Sequence, residues 1–288
     1  MYRSQINRLA ALVTIGSAVG FWASASNAAL LGYWNFNNNT SNFGSTGSTN
    51  DATAVNGATY VAGPTGFGNA LAVNNGTAST VHYALVNNSA TIGAAQGAGT
   101  TNPLDLVGTS YTWSIWAQSS NGVPHRVIDK EDGADFSGGY GSAFGNNAYT
   151  HASGSGSNFT FTGGTVPSNT AWHFYAVRYD MSAGSLHLFV DGVKTTLAAS
   201  GVPALTTDTN DPLRFGNAAF SDFPPNGAFG YQGHNGAIDE ARIYNEALSD
   251  AQIFALQVVP EPSSIVLAMF SVMGVIRLAR RREARTAV

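Results

Sequence analysis

The stretch Trp172–Asp180, which reads WHFYAVRYD, decides the fold class together with residues 186–190, which read LHLFV. In both stretches successive side chains alternate between two faces with a period of two, as they do in a β-strand. Across the first stretch the two faces are Phe174, Ala176 and Arg178 against Tyr175, Val177 and Tyr179. Asp191 and Gly192 follow the second stretch, and both residue types tolerate positive φ, so the pattern predicts a β-hairpin there.

Other β-rich runs are spread over the chain, and most are bounded by Gly, Asn, Asp or Pro. These runs cover residues 33–36, 70–73, 111–117, 126–128, 159–161, 213–215 and 237–244. One short helix is predicted from Ser249 through Leu256, because Ser249 and Gln252 have the spacing of a capping box. The expected fold class is therefore all-β, an antiparallel two-sheet sandwich.

Composition excludes some functions. The chain has 288 residues and a formal net charge of −4, and it contains no cysteine, so neither disulfides nor thiol chemistry is expected. Residues 29–258 hold six Lys or Arg against fifteen Asp or Glu. An acidic body makes nucleic acid an unsuitable partner, since binding it requires a basic face.

Six sequence blocks occur in a recognisable order. They are residues 32–36 (GYWNF), 68–71 (GNAL), 111–116 (YTWSIW), 172–180 (WHFYAVRYD), 188–192 (LFVDG) and 236–249 (GAIDEARIYNEALS). In this order they resemble the strand motifs of LamG-like jelly rolls in the concanavalin A-like lectin and glucanase superfamily. The resemblance implies a jelly-roll domain over residues 29–257. Residues 86–106, rich in Ala, Gly and Thr, depart from the pattern and are interpreted as a loop insertion.

The C-terminal residues 258–288 have the order of a sorting signal. Pro260, Glu261 and Pro262 precede an apolar run at 265–276, and Arg280, Arg281 and Arg282 follow it. This order resembles the PEP-CTERM tail of exported bacterial proteins, which implies an exosortase-type membrane protease as partner. The run would form about 18 Å of helix against a hydrocarbon core about 30 Å thick, which favours a processed signal over a permanent anchor. A plain C-terminal anchor stays open.

The N-terminus also predicts export. Arg3 and Arg8 precede a mostly small and apolar segment, and Ser26-Asn27-Ala28 supplies the small residues that a signal peptidase reads. We therefore interpret residues 1–28 as a signal peptide. The protein is expected to be tethered to the inner membrane during sorting and then to reach the cell surface or the extracellular space.

Catalysis is not expected. The glucanases of the superfamily alternate carboxylates along one strand, but the pairs Glu131-Asp132 and Asp239-Glu240 are adjacent, which sends them to opposite faces of a strand. The histidines are scattered singly, without the spacing of a transition-metal site. A hydrolase with an atypical carboxylate pair remains the alternative to a non-catalytic protein.

Calcium is the one cofactor that the resemblance implies. Jelly rolls of this superfamily often hold a structural Ca²⁺ through an aspartate on the last strand and main-chain carbonyls, and Asp239 occupies the matching position. Asp239 could instead cap a turn or pair with Arg242 or Arg178. A second acidic segment, Asp129 to Asp135, is interpreted as a solvated loop.

Binding is the expected activity, with a polysaccharide or a surface protein as ligand. Aromatic residues in polar, Gly-rich segments could stack on sugars or could equally plug the ends of the sandwich. The candidates are Tyr140, Tyr149, Phe223 and Tyr231. Trp113, Trp116 and Trp172 lie within strand patterns and are interpreted as core or sheet-face residues.

Overall fold

Two antiparallel sheets make up the body of the protein. A computed structural model describes residues 29–73, 82–86, 102–122, 126–131, 139–143, 148–152, 158–162, 165–205, 212–217 and 233–258. The expected signal peptide and the sorting motif with its apolar run lie outside these ranges. No helix in the described ranges is long and apolar enough to cross a membrane.

Eight of the described strands form the first sheet, in the order β13-β12-β11-β6-β15-β4-β3, with β1 also paired to β15. Their bounds are β1 Leu30–Trp34, β3 Thr59–Ala62, β4 Asn69–Val73, β6 Tyr111–Ser119, β11 Trp172–Asp180, β12 Ser185–Val190, β13 Val193–Ala198 and β15 Gly236–Tyr244. Seven described strands form the second sheet, in the order β10-β9-β8-β7-β14-β5-β2. Their bounds are β2 Ala52–Val55, β5 Tyr83–Val86, β7 Ile128–Glu131, β8 Gly139–Ala143, β9 Ala148–Ala152, β10 Asn158–Thr162 and β14 Leu213–Phe215.

The main core lies between the two sheets. The rings of Trp34 on β1 and Phe215 on β14 pack with centroids 4.9 Å apart, and those of Tyr111 on β6 and Tyr140 on β8 are 5.5 Å apart. All four side chains are fully buried. The all-β sandwich expected from the sequence is therefore confirmed.

The long strand β11 is buried on both faces. Tyr175, Val177 and Tyr179 point into the main core. Phe174 and Ala176 belong to a second apolar cluster on the outer face of the eight-stranded sheet. A short helix, α1 (Asp250–Ala255), covers that cluster with the fully buried side chain of Ile253. The predicted capping box of Ser249 and Gln252 is present at its start.

Two local expectations need correction. The first strand ends at Trp34 instead of continuing through Phe36, because Phe36 takes a positive φ of 45° and turns its buried ring toward Phe215. The predicted loop at 86–106 is wrong at both ends. Val86 belongs to β5, and a 3₁₀ turn at Pro103–Asp105, capped by Asn102, buries Leu104 in the core.

The hairpin predicted at Asp191 and Gly192 is confirmed. It joins β12 to β13 with φ values of 47° and 83°, the left-handed conformation that two-residue hairpin turns require.

Replacing Asp250 with asparagine is expected to loosen α1 and to lower the free energy of unfolding by about 0.5 to 1 kcal/mol in dilute salt. Arg178 Nη1 lies 2.6 Å from Asp250 Oδ1, and Lys194 Nζ lies 3.1 Å from Asp250 Oδ2. The Asp250 side chain is 41% exposed, so salt screens this interaction, and urea titrations should show a smaller loss in concentrated salt.

The same ion pairs predict a pH dependence. Burial alone would raise the pKa of Asp250, but the bonds from Lys194 and Arg178 outweigh it, and the pKa falls below its ordinary value of 3.8. A lowered pKa means that the stabilisation is present above pH 3.8 and is lost as the pH falls through the lowered value. An Asp250→Asn variant with wild-type stability at every salt concentration and pH would contradict this account of α1.

Candidate functional site

Asp239 lies at a bulge in the last strand of the eight-stranded sheet. The register of β15 against β6 shifts between Asp239 and Arg242, and Glu240 takes a positive φ of 53°. The Asp239 side chain is fully buried, and its Oδ1 accepts a hydrogen bond of 2.8 Å from the backbone N–H of Glu240. Its other oxygen, Oδ2, has no hydrogen-bond partner in the described part of the chain.

The free oxygen of Asp239 faces a small space beside the turn between β3 and β4. A methyl group built on Gly63 would lie 2.8 Å from Asp239 Oδ2 and 2.9 Å from the carbonyl oxygen of Gly68. The two oxygens therefore border the same space. This space is open because residue 63 is a glycine, and the side chain of any other residue would fill it. A hydrogen bond of 2.8 Å from the Gly63 N–H to that Gly68 carbonyl closes the turn.

Neither arginine that the sequence offered as a partner pairs with Asp239. Arg242 forms a salt bridge with Glu240, and Arg178 forms one with Asp250. Burial, followed by the charge of Glu240, raises the pKa of Asp239 from 3.8 to about 8. Among the described residues, the site therefore holds a buried carboxyl group with no cationic side chain bonded to it.

The donors at this space are oxygens, which are the ligands that Ca²⁺ prefers. Among the described residues there is no group of three or more His, Cys, Asp or Glu side chains that could hold a metal. A calcium ion at Asp239 would therefore depend on one carboxylate together with main-chain carbonyls and water. The orphaned Oδ2 and the cradle at Gly63 fit such an ion.

A buried polar cluster lies on the seven-stranded sheet. Asp129 on β7 is fully buried, forms a salt bridge with Arg126, and has Arg214 on β14 as its cross-strand partner. The interpretation of this region as a solvated acidic loop is wrong for Asp129, because the residue lies in a strand against arginine. Asp132 and Asp135 lie outside the described residues.

A groove of about 590 Å³ opens at one end of the eight-stranded sheet. Trp172, Gln118 and Asn235 line it, together with small residues of β4 and β15. The sequence placed Trp172 in the core or on a sheet face, and the structure places it on a sheet face. The sequence gave no sign that this residue borders a groove. That neighbourhood arises from the pairing of strands far apart in the sequence.

The family model for the Concanavalin A-like lectin/glucanases superfamily, of the Laminin G 3 type, matches residues 92–254, more than half of the chain. The chain belongs to this superfamily. The matched region begins after β5. The strands between residues 30 and 86 therefore lie outside it, although they belong to both sheets of the structure. No sequence among the curated proteins matches the chain.

Solved structures with the same fold are distant in sequence. The binding domain of Paraclostridial Mosquitocidal Protein 1 is 13% identical with a TM-score of 0.54, over 79% of this chain and 51% of that one. The binding domain of Botulinum Neurotoxin DC, in complex with SialylT, is 12% identical with a TM-score of 0.52, over 80% and 51%. This chain thus spans about half the length of each toxin domain, and the likeness is one of fold.

A domain of AbnA, a GH43 extracellular arabinanase from Geobacillus stearothermophilus, was solved with arabinotriose. It is 18% identical over 80% of this chain and 98% of that one, with a TM-score of 0.48. Because this TM-score is below 0.5, the likeness says nothing about the function of this chain.

The four aromatic residues expected to bind a ligand do not meet at a described site. Tyr140 is a correction, because its ring is fully buried in the core and its hydroxyl donates a 3.1 Å hydrogen bond to the Leu104 carbonyl. It therefore offers no exposed stacking face. Tyr149 lies on β9, and Phe223 and Tyr231 lie outside the described residues.

Proposed function

We propose that this chain is an exported, non-catalytic protein of the cell surface or extracellular matrix, whose jelly roll binds glycan. The observation that carries the proposal is the groove beside Trp172, where an indole and side-chain amides border a space of about 590 Å³. Such a volume and such a mixture of aromatic and polar groups are typical of small-ligand sites. A surface protein as ligand is the second possible partner of the same domain.

Superfamily membership supports the same function without deciding it, since one fold hosts both binders and enzymes. The binding domain of Botulinum Neurotoxin DC, which has the same fold, was solved in complex with SialylT. The full-length protein should migrate more slowly in native gels that contain a neutral polysaccharide than in gels without it. Equal migration in every polysaccharide gel would contradict glycan binding.

Hydrolysis is the second candidate function, and one observation favours it. Asp129 and Glu131 are separated by a single residue in the sequence of β7. Retaining glycosidases need two carboxylates about 5 Å apart. The salt bridge between Asp129 and Arg126 opposes this function, because a buried, arginine-paired carboxylate is a poor proton donor to a leaving group.

A structural calcium ion at Asp239 is part of the proposal. Asp239 Oδ2 and the Gly68 carbonyl would contribute to holding it, and the ion would neutralise the buried carboxylate. Bound there, it would tie the last strand to the turn between β3 and β4, which also supplies Gly63 to the groove.

Export and sorting complete the proposal. The features that support them are the charged start, the small residues before Ala29, and the order of Pro260-Glu261-Pro262, apolar run and arginines. An exosortase-type protease would cut near the Pro-Glu-Pro motif, which releases the jelly roll from the inner membrane. The alternative is that the tail stays as an anchor.

Intact mass and cell fractionation in the native host test this part. We expect a species that lacks residues 1–28 and the tail beyond about Pro260, and we expect a variant with Pro260, Glu261 and Pro262 changed to alanine to keep its tail in the membrane. A wild-type protein that keeps its tail and stays in the membrane would contradict processing and establish an anchor.

A further inference from the structure

The groove beside Trp172 is built by a row of cross-strand neighbours. Trp172 on β11 pairs with Gln118 on β6, Gln118 pairs with Ala237 on β15, and Ala237 pairs with Ala72 on β4. Directly paired residues project from the same face of a sheet. The row therefore places a large indole and an amide next to two alanines.

The alternation of core residues identifies this face as the outer one. Ile238 and Leu71, which flank the row on β15 and β4, belong to the core between the sheets. The row itself consequently points away from the core. Gly236, the residue before Ala237, allows a close approach of β15 to β6, because a methyl group there would meet the Gln118 carbonyl oxygen at 1.8 Å.

The far wall of the groove is the edge strand of the sheet. β3 is the last strand in the sheet order, and its Val61 is 41% exposed and lines the groove. Ala237 and Ala72 thus form a floor with Trp172 and Gln118 on one side and Val61 on the other. The shape is a shallow trough open to solvent.

The chemistry of the lining is neutral. None of the described residues that line the groove carries a charged side chain. The polar groups are the amides of Gln118 and Asn235 and the hydroxyl of Ser120, which can both donate and accept hydrogen bonds. Sugar rings present C–H groups on one face and hydroxyls around their edge, so an indole face with neighbouring amides matches them.

The wall that carries Trp172 is held in place before any ligand binds. Gln118 Nε2 donates a 2.9 Å hydrogen bond to the carbonyl of Thr170, which leaves its Oε1 to accept from a ligand. The next residue after Trp172, His173, contacts Asp191 Oδ2 through Nδ1 at 2.6 Å and Asn169 Oδ1 through Nε2 at 2.9 Å. A wall fixed in this way loses little conformational entropy on binding.

We propose that this groove, on the outer face of the eight-stranded sheet, binds a neutral oligosaccharide, with one ring stacked on Trp172 and its hydroxyls bonded by Gln118 and Asn235. The inference rests on the proposed glycan-binding function and assigns that function to these residues. Acidic glycans bind less well, because no side chain in the described lining is cationic and could pair with a carboxylate of the ligand.

The test is the binding of full-length protein to an array of immobilised neutral and acidic oligosaccharides. Trp172→Ala removes the stacking face, and Ala72→Leu fills the floor while Trp172 stays in place. Each should weaken binding to neutral oligosaccharides at least about tenfold. Phe43→Ala is the matched control, because Phe43 is 55% exposed and lies outside the groove, and it should bind within about twofold of wild type.

The possible results distinguish an error in the assigned groove from an error in the proposed glycan-binding function. If wild type binds and both groove variants bind equally well while their unfolding transitions match wild type, the groove is wrong and glycan binding stands. Preferential binding of acidic oligosaccharides would also overturn the inference. If wild type binds no oligosaccharide on the array, the proposed function fails and the groove fails with it.

Discussion

Replacing Lys130 with methionine is expected to lower the free energy of unfolding by about 3 to 5 kcal/mol, the cost of breaking one side of a buried ion pair. The Lys130 side chain is 1% exposed, and its Nζ lies 2.9 Å from Oδ1 of Asp105, whose side chain is 7% exposed. Methionine fills nearly the same volume, so the loss reports the charge and not a cavity. Without the lysine, Asp105 keeps a buried charge that water cannot reach.

A double variant controls for the geometry of the turn. Asp105 Oδ2 also accepts a 2.9 Å hydrogen bond from the Asn102 N–H, and asparagine at 105 can preserve that bond without the charge. Lys130→Met combined with Asp105→Asn should therefore be more stable than Lys130→Met alone in urea titrations. A single-variant cost below about 1 kcal/mol, or no recovery in the double variant, would contradict the assigned role of the pair.

Calcium is expected to stabilise the wild-type protein by about 2.7 kcal/mol at a free concentration one hundred times its Kd. For a domain of this size that corresponds to a rise in Tm of roughly 5 to 11 °C. The physical reason is the Asp239 carboxylate, which is buried with Oδ2 unpartnered in the described chain. Thermal unfolding with excess calcium and with a chelator measures the difference.

Variants at the site sharpen this prediction. Asp239→Asn should remove the calcium response while costing little stability in chelator. Burial raises the pKa of Asp239 to about 8, so at neutral pH without calcium the carboxyl group is mainly protonated, and asparagine replaces one uncharged group with another. Gly63→Ala should weaken the response, because its methyl group would occupy the space beside Asp239 Oδ2. Asp250→Asn is the matched control, since its carboxylate is already paired with Arg178, and it should respond as wild type does. An equal calcium response in Asp239→Asn and wild type would place the ion elsewhere.

The long strands were predictable because local pattern and tertiary environment agree in them. Residues 172–180 alternate strictly, and they form β11 with the predicted faces. The capping box at Ser249 is equally local, and it starts α1 where expected. Short, Gly- or Ala-rich strands such as β8 and β2 carry too few branched or aromatic residues to stand out from the turns around them.

The sites were less predictable because they depend on partners distant in sequence. Lys130 and Asp105 are joined by the docking of a 3₁₀ turn onto a strand, which no local pattern encodes. Tyr140 sits in a polar, Gly-rich segment that indicated exposure, yet packing against Tyr111 buries it. Trp172 meets Gln118 and Ala237 only through the register of three strands. Asp239 was a candidate from the sequence only through the resemblance of the motif around it, and its unpartnered oxygen could not be predicted.

The most direct test of the central claim is co-sedimentation of the full-length protein with an insoluble neutral polysaccharide, followed by analysis of the supernatant for soluble sugars. The account predicts that the protein leaves the supernatant with the polysaccharide and that no soluble sugar appears over prolonged incubation. Soluble sugar that is released by the wild-type protein and abolished in an Asp129→Asn variant that still folds would contradict the account, and it would identify the chain as a hydrolase.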